Sequence, residues 1–299
     1  MNLIKKLPIP MAGLILAILS LGNLLQDINP HLRYLFGAIG VLLIVLMILK
    51  VILYPQNIKN DFKNPVIASS SGTFSMSLML LSTYLIEFTP EIACAIWIIG
   101  ISLHILLMIY FTYHFIVRNF DISTVYPSYW IVFVGITMGA ITAGIHGLDE
   151  IGFICFLIGF AAMLVTLPLV IYRYIRYRNI PNMNKPLICI FTALISILIV
   201  GYLNSSPSPS KEFLTILYSI ACIFYIFAFY KLIEYRNLEF YPSFSAFTFP
   251  FVISALATKG ILKINSPNYF LHLILTIETA IALIIVIYVL IRYVKFLKK

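Results

Sequence analysis

Charge is what this chain has least of. Asp, Glu, Lys and Arg make up 10% of its 299 residues, against roughly 25% in a soluble domain. Hydrophobic residues make up 62%. So little charge cannot cover a domain in water, which excludes a soluble globular protein. Acidic residues are scarcer than basic ones, 11 against 20, for a net charge of +9. The basic excess does not form an aromatic-interleaved stripe, so nucleic acid is not an expected partner. Cysteine is limited to Cys94, Cys155, Cys189 and Cys222. Each lies inside an apolar run and none forms a CxxC pair, so they read as small buried hydrophobes. His104, His114 and His146 sit in or near apolar runs at no metal-ligand spacing. No cluster of His, Asp, Glu and Cys gathers near one face. An enzyme is therefore not expected, nor a metal, nor a cofactor.

What the chain has instead is long apolar runs. They cover approximately 8–26, 33–54, 65–86, 91–117, 126–147, 150–172, 184–204, 211–235, 242–260 and 267–294. A bilayer crossing takes about 20 apolar residues, so the whole chain, 1–299, reads as one transmembrane domain of ten helices. Lys5 and Lys6 ahead of the first run mimic a signal peptide. The run continues to Gln26 with no clear cleavage site, so an uncleaved first span is expected. The breaks within consecutive pairs are short, which makes the two members antiparallel neighbours.

The basic residues fall unevenly between the two sides. Arg33, Lys211, Lys259 and Lys263 lie on one side, and the other sixteen lie with the termini. That bias places both termini in the cytoplasm of a multi-pass cell-membrane protein. Pro8, Pro65, Pro127, Pro186 and Pro242 recur at gaps of 57, 62, 59 and 56 residues, each opening an odd-numbered run. Proline is tolerated in the first turn of a helix, so the chain reads as one helical hairpin written five times. All five odd helices then start on the cytoplasmic side and point the same way. Their positive ends, together with Lys6, Lys63 and Lys185, would favour anions at a common mouth.

Small and hydroxyl residues let helices pack closely in lipid, and the same residues suit a narrow aqueous path. On that ground Gly13, Gly72, Ser75, Gly135 and Gly139 are pore-lining candidates, joined by Ser245 and Leu256, which share the helical face of Phe249 in the ninth run. In the ninth run Phe240, Phe244, Phe247 and Phe251 follow helical spacing, as a packing stripe does. Phe249 lies off that stripe, and Pro250 directly after it predicts a kink. An aromatic ring in that position either occludes a pore or fills a core. Glu278 is an acid in the middle of the tenth run, where a charge costs at least ~2.5–3.5 kcal/mol. Either it takes part in proton coupling or it hydrogen-bonds to a neighbouring helix, and the second role is the more ordinary one.

Several local stretches resemble one family along essentially the whole chain. They are the LPIPMAGLILAILSLGN opening, the NPV start of the third run, YPSYWIVF at the fifth, the GIHGLDEIG turn and SAFTFPFVISALAT in the ninth. The family is the tellurite-resistance/dicarboxylate transporter family, which includes the plant slow-type anion channels and fungal malate transporters. The resemblance implies five hairpins in quasi-fivefold symmetry, with odd helices lining a central pore and even helices outside, assembled as a homotrimer. It implies that small inorganic anions or C4-dicarboxylates cross the membrane, with Phe249 and Pro250 at the position of the family's pore gate. The alternative is a proton-coupled secondary transporter exporting an organic acid, sulfite or a tellurite-related anion, with Glu278 as its proton-linked residue. Plant members carry long phosphorylated tails that this chain lacks, so regulation by kinases is not expected.

Overall fold

The computed structural model of the protein describes residues 3–298, so Lys299, counted above with the terminal charges, lies outside the described residues. Among those residues there are helices and no strands. Ten helical segments follow the ten apolar runs. In chain order they are α1 (Met11–Leu25), α2 (Pro30–Leu53), α3 (Pro65–Leu85), α4 (Pro90–Arg118), α5 (residues 129–142), α6 (Asp149–Arg176), α7 (Asn182–Ser205), α8 (Lys211–Tyr235), α9 (Pro242–Ile264) and α10 (Tyr269–Lys298). Eight are long and apolar enough to cross a membrane. The other two are α1, of 15 residues, and α5, which is interrupted. Helix α2 begins three residues before its apolar run because the Asn29 side chain accepts the His31 backbone N–H at 2.9 Å and Pro30 supplies the first helical turn.

Burial separates the segments into two sets. In α3, α7 and α9, between 78% and 89% of the apolar window is buried inside the protein. In α2, α4, α6, α8 and α10 only 22–28% is buried. Helix α1 is buried along almost its whole length. Each odd segment packs on its even successor. The odd segments also pack on one another, α1 on α3, α3 on α5, α5 on α7, α7 on α9, and α9 back on α1.

The repeat is visible in side chains as well as in prolines. Near the terminal-side end of each even helix, one residue contacts the stretch entering its partner, and in four of the five pairs it donates to a backbone carbonyl there. Lys50 of α2 donates to the Leu7 carbonyl. Tyr110 of α4 donates to the Phe62 carbonyl at 3.3 Å. Arg173 of α6 donates to the Ser123 carbonyl at 3.1 Å and lies 4.0 Å over the Tyr126 ring. Tyr293 of α10 donates to the Pro242 carbonyl. In the fourth pair the Lys185 ammonium sits 5.7 Å over the Tyr235 ring of α8. These residues, Lys50, Tyr110, Arg173, Tyr235 and Tyr293, are 60, 63, 62 and 58 positions apart. In those four pairs a backbone carbonyl at or before the segment's start gains a donor from the hairpin's own second helix, since backbone groups away from water need partners.

A second repeat sets how closely the pairs approach. Gly40, Gly100 and Gly159 stand 60 and 59 positions apart on α2, α4 and α6. A methyl group on Gly100 would come within 2.9 Å of the Met79 backbone nitrogen, and one on Gly159 within 2.1 Å of the Thr137 hydroxyl. Buried Ala221 and Ala282 continue the register on α8 and α10. Small residues at the crossing let helix backbones touch where apolar burial supplies no driving force.

Candidate functional site

Every odd segment is broken near its proline. In α3, helix Pro65–Ser70 gives way at Ser71 to Gly72–Leu85. In α5 the break is residues 134–136. Helix α7 passes from 3-10 geometry to α at Ile190, and α1 becomes α-helical at Met11 after a turn through Pro8–Pro10. In α9 a 3-10 turn, Pro242–Phe247, ends at Thr248 (φ −98°, ψ −81°), and an α-helix starts at Phe249. Pro250 therefore does not kink a continuous helix. It stands in the first turn of a new one, where it displaces no hydrogen bond. The expected kink is corrected to a break one residue before Phe249, held by the Thr248 hydroxyl donating to the Ser245 carbonyl at 2.6 Å.

The breaks surround a small cavity of about 60 Å³. All five odd segments wall it: Gly13 of α1 with Pro10 just before it, Ser70, Thr73 and Met76 of α3, Trp130, Val134 and Gly135 of α5, Ile190 and Ile197 of α7, and Ser245, Phe249 and Pro250 of α9. No charged residue is in the wall. Four α-helical portions begin beside it, at Met11, Gly72, Ile190 and Phe249, so their positive ends meet at the cavity. The aromatic residues of α9 divide as their spacing predicts. Phe244, Phe247 and Phe251 are fully buried in ring contacts, Phe244 to Phe247 at 5.0 Å and Phe251 to Tyr225 at 5.4 Å. Phe249 instead faces the cavity.

A second, larger cavity of about 630 Å³ lies further along the same segments. Met76 walls the first and Leu80 the second; likewise Gly135 and Met138, Ile197 and Val200, Pro250 and Ile253. On four of the five segments the step is about one helical turn, roughly 5.4 Å. The residues at the step are apolar. Leu256 walls this outer cavity, as do Arg33, Lys259 and Lys263. Lys259 pairs with Asp27 at 2.8 Å. Arg33 pairs with Glu87 at 3.2 Å and donates to the Thr83 carbonyl at 2.6 Å. Lys263 is exposed and makes no ion pair among the described residues. These are three of the four cations on the sparsely charged side. Their place in the charge pattern is a signal that composition alone does not connect to a cavity.

The remaining candidates lie elsewhere. Gly72 faces Ile131 and Leu107, and Gly139 faces Cys155 and Ile101. The Ser75 hydroxyl is 2.7 Å from His104 Nδ1. His104 Nε2 donates to the Val132 carbonyl at 3.0 Å, just before the α5 break. These residues serve contacts between helices rather than either cavity wall. Lys6, Lys63 and Lys185 wall neither cavity. Glu278 is buried on α10 against α9, accepting from the Ser254 hydroxyl at 3.5 Å. No group of three or more His, Cys, Asp and Glu able to hold a metal occurs among the described residues.

A polytopic helical bundle, with its most buried segments gathered around internal cavities, belongs to the class of membrane channels and transporters. Residues 7–294 match the SLAC1 voltage-dependent anion channel family, and the chain belongs to that family. It is also 24% identical over 265 residues to an uncharacterized transporter of Methanocaldococcus jannaschii, covering 81% of this chain and 78% of that protein. The expected family membership is borne out.

Proposed function

We propose that this protein is a channel for small monovalent anions in the cytoplasmic membrane, with both termini inside. Its five hairpins form a ring whose odd segments enclose one path. Phe249 closes that path at the inner cavity, and Pro250 fixes the helix start that presents the ring. The observation that carries this reading is the wall of the inner cavity, in which every odd segment contributes, helix starts converge and no charged side chain is present. Fixed cations would hold an anion tightly. Helix ends attract it by a few tenths to ~1 kcal/mol each, which suits an ion that must also leave. Dehydration cost rises with the square of charge, so an uncharged wall favours a monovalent anion over a C4-dicarboxylate dianion. Arg33, Lys259 and Lys263 collect anions at the outer cavity, the role first expected of Lys6, Lys63 and Lys185. Assembly as a homotrimer belongs to the same proposal.

The test is reconstitution into liposomes with an imposed anion gradient. Chloride or nitrate efflux that follows the membrane potential and needs no proton gradient supports a channel. Efflux that stops when the proton gradient is collapsed supports the coupled carrier instead.

A further inference from the structure

A third cavity, of about 400 Å³, lies between the first hairpin and the second. Its volume falls within the roughly 300–1,000 Å³ of small-molecule sites. On its inward side Ala12 of α1, Met47 of α2 and Leu107 of α4 are buried. On its outward side Val51 of α2 and Leu106 of α4 are 48% and 61% exposed. The cavity therefore opens sideways, through the outer faces of two membrane-spanning helices, toward lipid. Three hydroxyls stand in the wall, and each is already committed. Ser71 donates to the Ala68 carbonyl at 2.7 Å, Ser75 to the Gly72 carbonyl at 2.8 Å, and Tyr110 to the Phe62 carbonyl at 3.3 Å. A wall with no uncommitted hydroxyl and no charged side chain suits an apolar chain, because a polar group placed there would lose its water without gaining a partner.

Charge lies at one end of it. The short helix Pro55–Asp61 and the turn after it join α2 to α3 on the terminal side, and Ile58 and Phe62 of that stretch are in the wall. Lys59 and Lys63 directly follow them in the chain, are exposed, and make no ion pair among the described residues. The acid of the stretch, Asp61, is turned to Lys50 at 3.8 Å. An apolar slot with free cations at its membrane-surface end complements an amphiphile that has an acyl chain and an anionic head. We propose that this cavity binds an anionic phospholipid of the terminal-side leaflet, one acyl chain lying between the two hairpins and the phosphate meeting Lys59 and Lys63. Ser71 and Phe74 of α3 wall this site, while Ser70 and Thr73 wall the inner cavity. The acyl chain thus packs on α3 at its break, on the face turned away from the inner cavity. The site stands whether or not the protein conducts anions.

The test places the protein in phosphatidylcholine nanodiscs with a trace of phosphatidylglycerol whose acyl chain carries a diazirine. After irradiation, labelled peptides are mapped by mass spectrometry. Labelling is expected to concentrate in residues 47–51, 58–62, 71–75 and 103–110. Labelling spread evenly over the outer faces of α6, α8 and α10 overturns the site. Phosphatidylcholine carrying the same diazirine, if it labels these residues as strongly, overturns the part given to the anionic head. Lys59→Gln combined with Lys63→Gln should lower phosphatidylglycerol labelling about fivefold, since each basic residue near the surface adds attraction for an anionic lipid. Leu106→Trp, at the exposed side of the cavity, should block the acyl chain and abolish the labelling, and undiminished labelling counts against the proposal. Should that variant not fold, the map of the unaltered protein still decides. A second copy of the chain seated on the cavity would exclude the probe. Residues that stay unlabelled in protein that cross-links as an oligomer therefore replace the lipid with a subunit contact.

Discussion

The two cavities share the same five segments and lie about one helical turn apart on four of them, yet they offer an ion opposite environments. The outer one, about 630 Å³, is wide enough for hydrated ions and carries Arg33, Lys259 and Lys263 beside Glu87. The inner one, about 60 Å³, is uncharged and mostly apolar, with a phenylalanine in its wall. On the proposed reading, an anion would gain from long-range attraction in the first and lose most of its water in the second. The difference would separate attraction from resistance. Charge near the outer cavity would set how often an ion arrives, and the inner cavity whether it passes.

On that division, the largest effect belongs to the inner cavity. Phe249→Ala should raise voltage-driven anion efflux on the order of tenfold or more, equivalent to about 1.4 kcal/mol off the barrier. Phe249→Leu, which keeps most of the bulk, should raise it less. Efflux from Phe249→Ala no greater than from the unaltered protein would remove Phe249 as the gate and erase the contrast between the cavities.

The outer cavity should respond more modestly and in a way that depends on salt. Lys263→Gln is expected to lower efflux about two- to threefold at low ionic strength. Lys259→Gln should lower it further, because it leaves the Asp27 carboxylate without its partner at 2.8 Å. Both losses should shrink as salt rises, since the Debye length falls from about 30 Å at 0.01 M to about 8 Å at 0.15 M. Neutralising Lys6, Lys63 and Lys185 together should change efflux less than twofold. Conductance measured over a salt series separates these cases, and a larger effect from the three terminal-side lysines would return the collecting role to that side.

Much of the architecture is legible in the amino-acid sequence. Lipid requires long apolar helices with every backbone group satisfied internally, so runs and short breaks expose helices and hairpins directly. Proline spacing exposes the repeat. The residues that close each hairpin stay hidden, because Lys50, Tyr110, Arg173 and Tyr293 share an action and not a chemistry, and Tyr235 keeps the same register through a ring contact with Lys185. Pro250 misleads for a related reason. A proline that kinks a helix and one that starts a helix look alike in sequence, and the backbone angles of Thr248 decide between them. Among the small residues, Gly13 and Gly135 reach the inner cavity while Gly72 and Gly139 lie against neighbouring helices. Once the helices break, a helical wheel no longer fixes which face turns inward.

The smallest effect is expected at Glu278, which lies off both cavities behind the stretch of α9 that passes between them. Its surroundings are hydroxyls from three helices. Ser254 contacts it at 3.5 Å, Thr192 and Ser196 of α7 each reach Ser254 at 3.5 Å, and Tyr218 of α8 meets Thr258 at 3.1 Å. Such a network ties α10 and α8 to the back of α9 and gives an ion no route through it. Glutamine keeps the shape and the acceptor oxygen, so Glu278→Gln should leave efflux within about twofold of the unaltered protein and leave its pH dependence unchanged. Leucine removes the acceptor and leaves Ser254 without it, at about 1–3 kcal/mol for a buried polar group, so Glu278→Leu should lower thermal stability while the open-path permeability ratios stay the same. A pH-dependent efflux that becomes flat in Glu278→Gln would give the carboxyl group a proton to carry, and with it a part in transport that its absence from both cavity walls argues against.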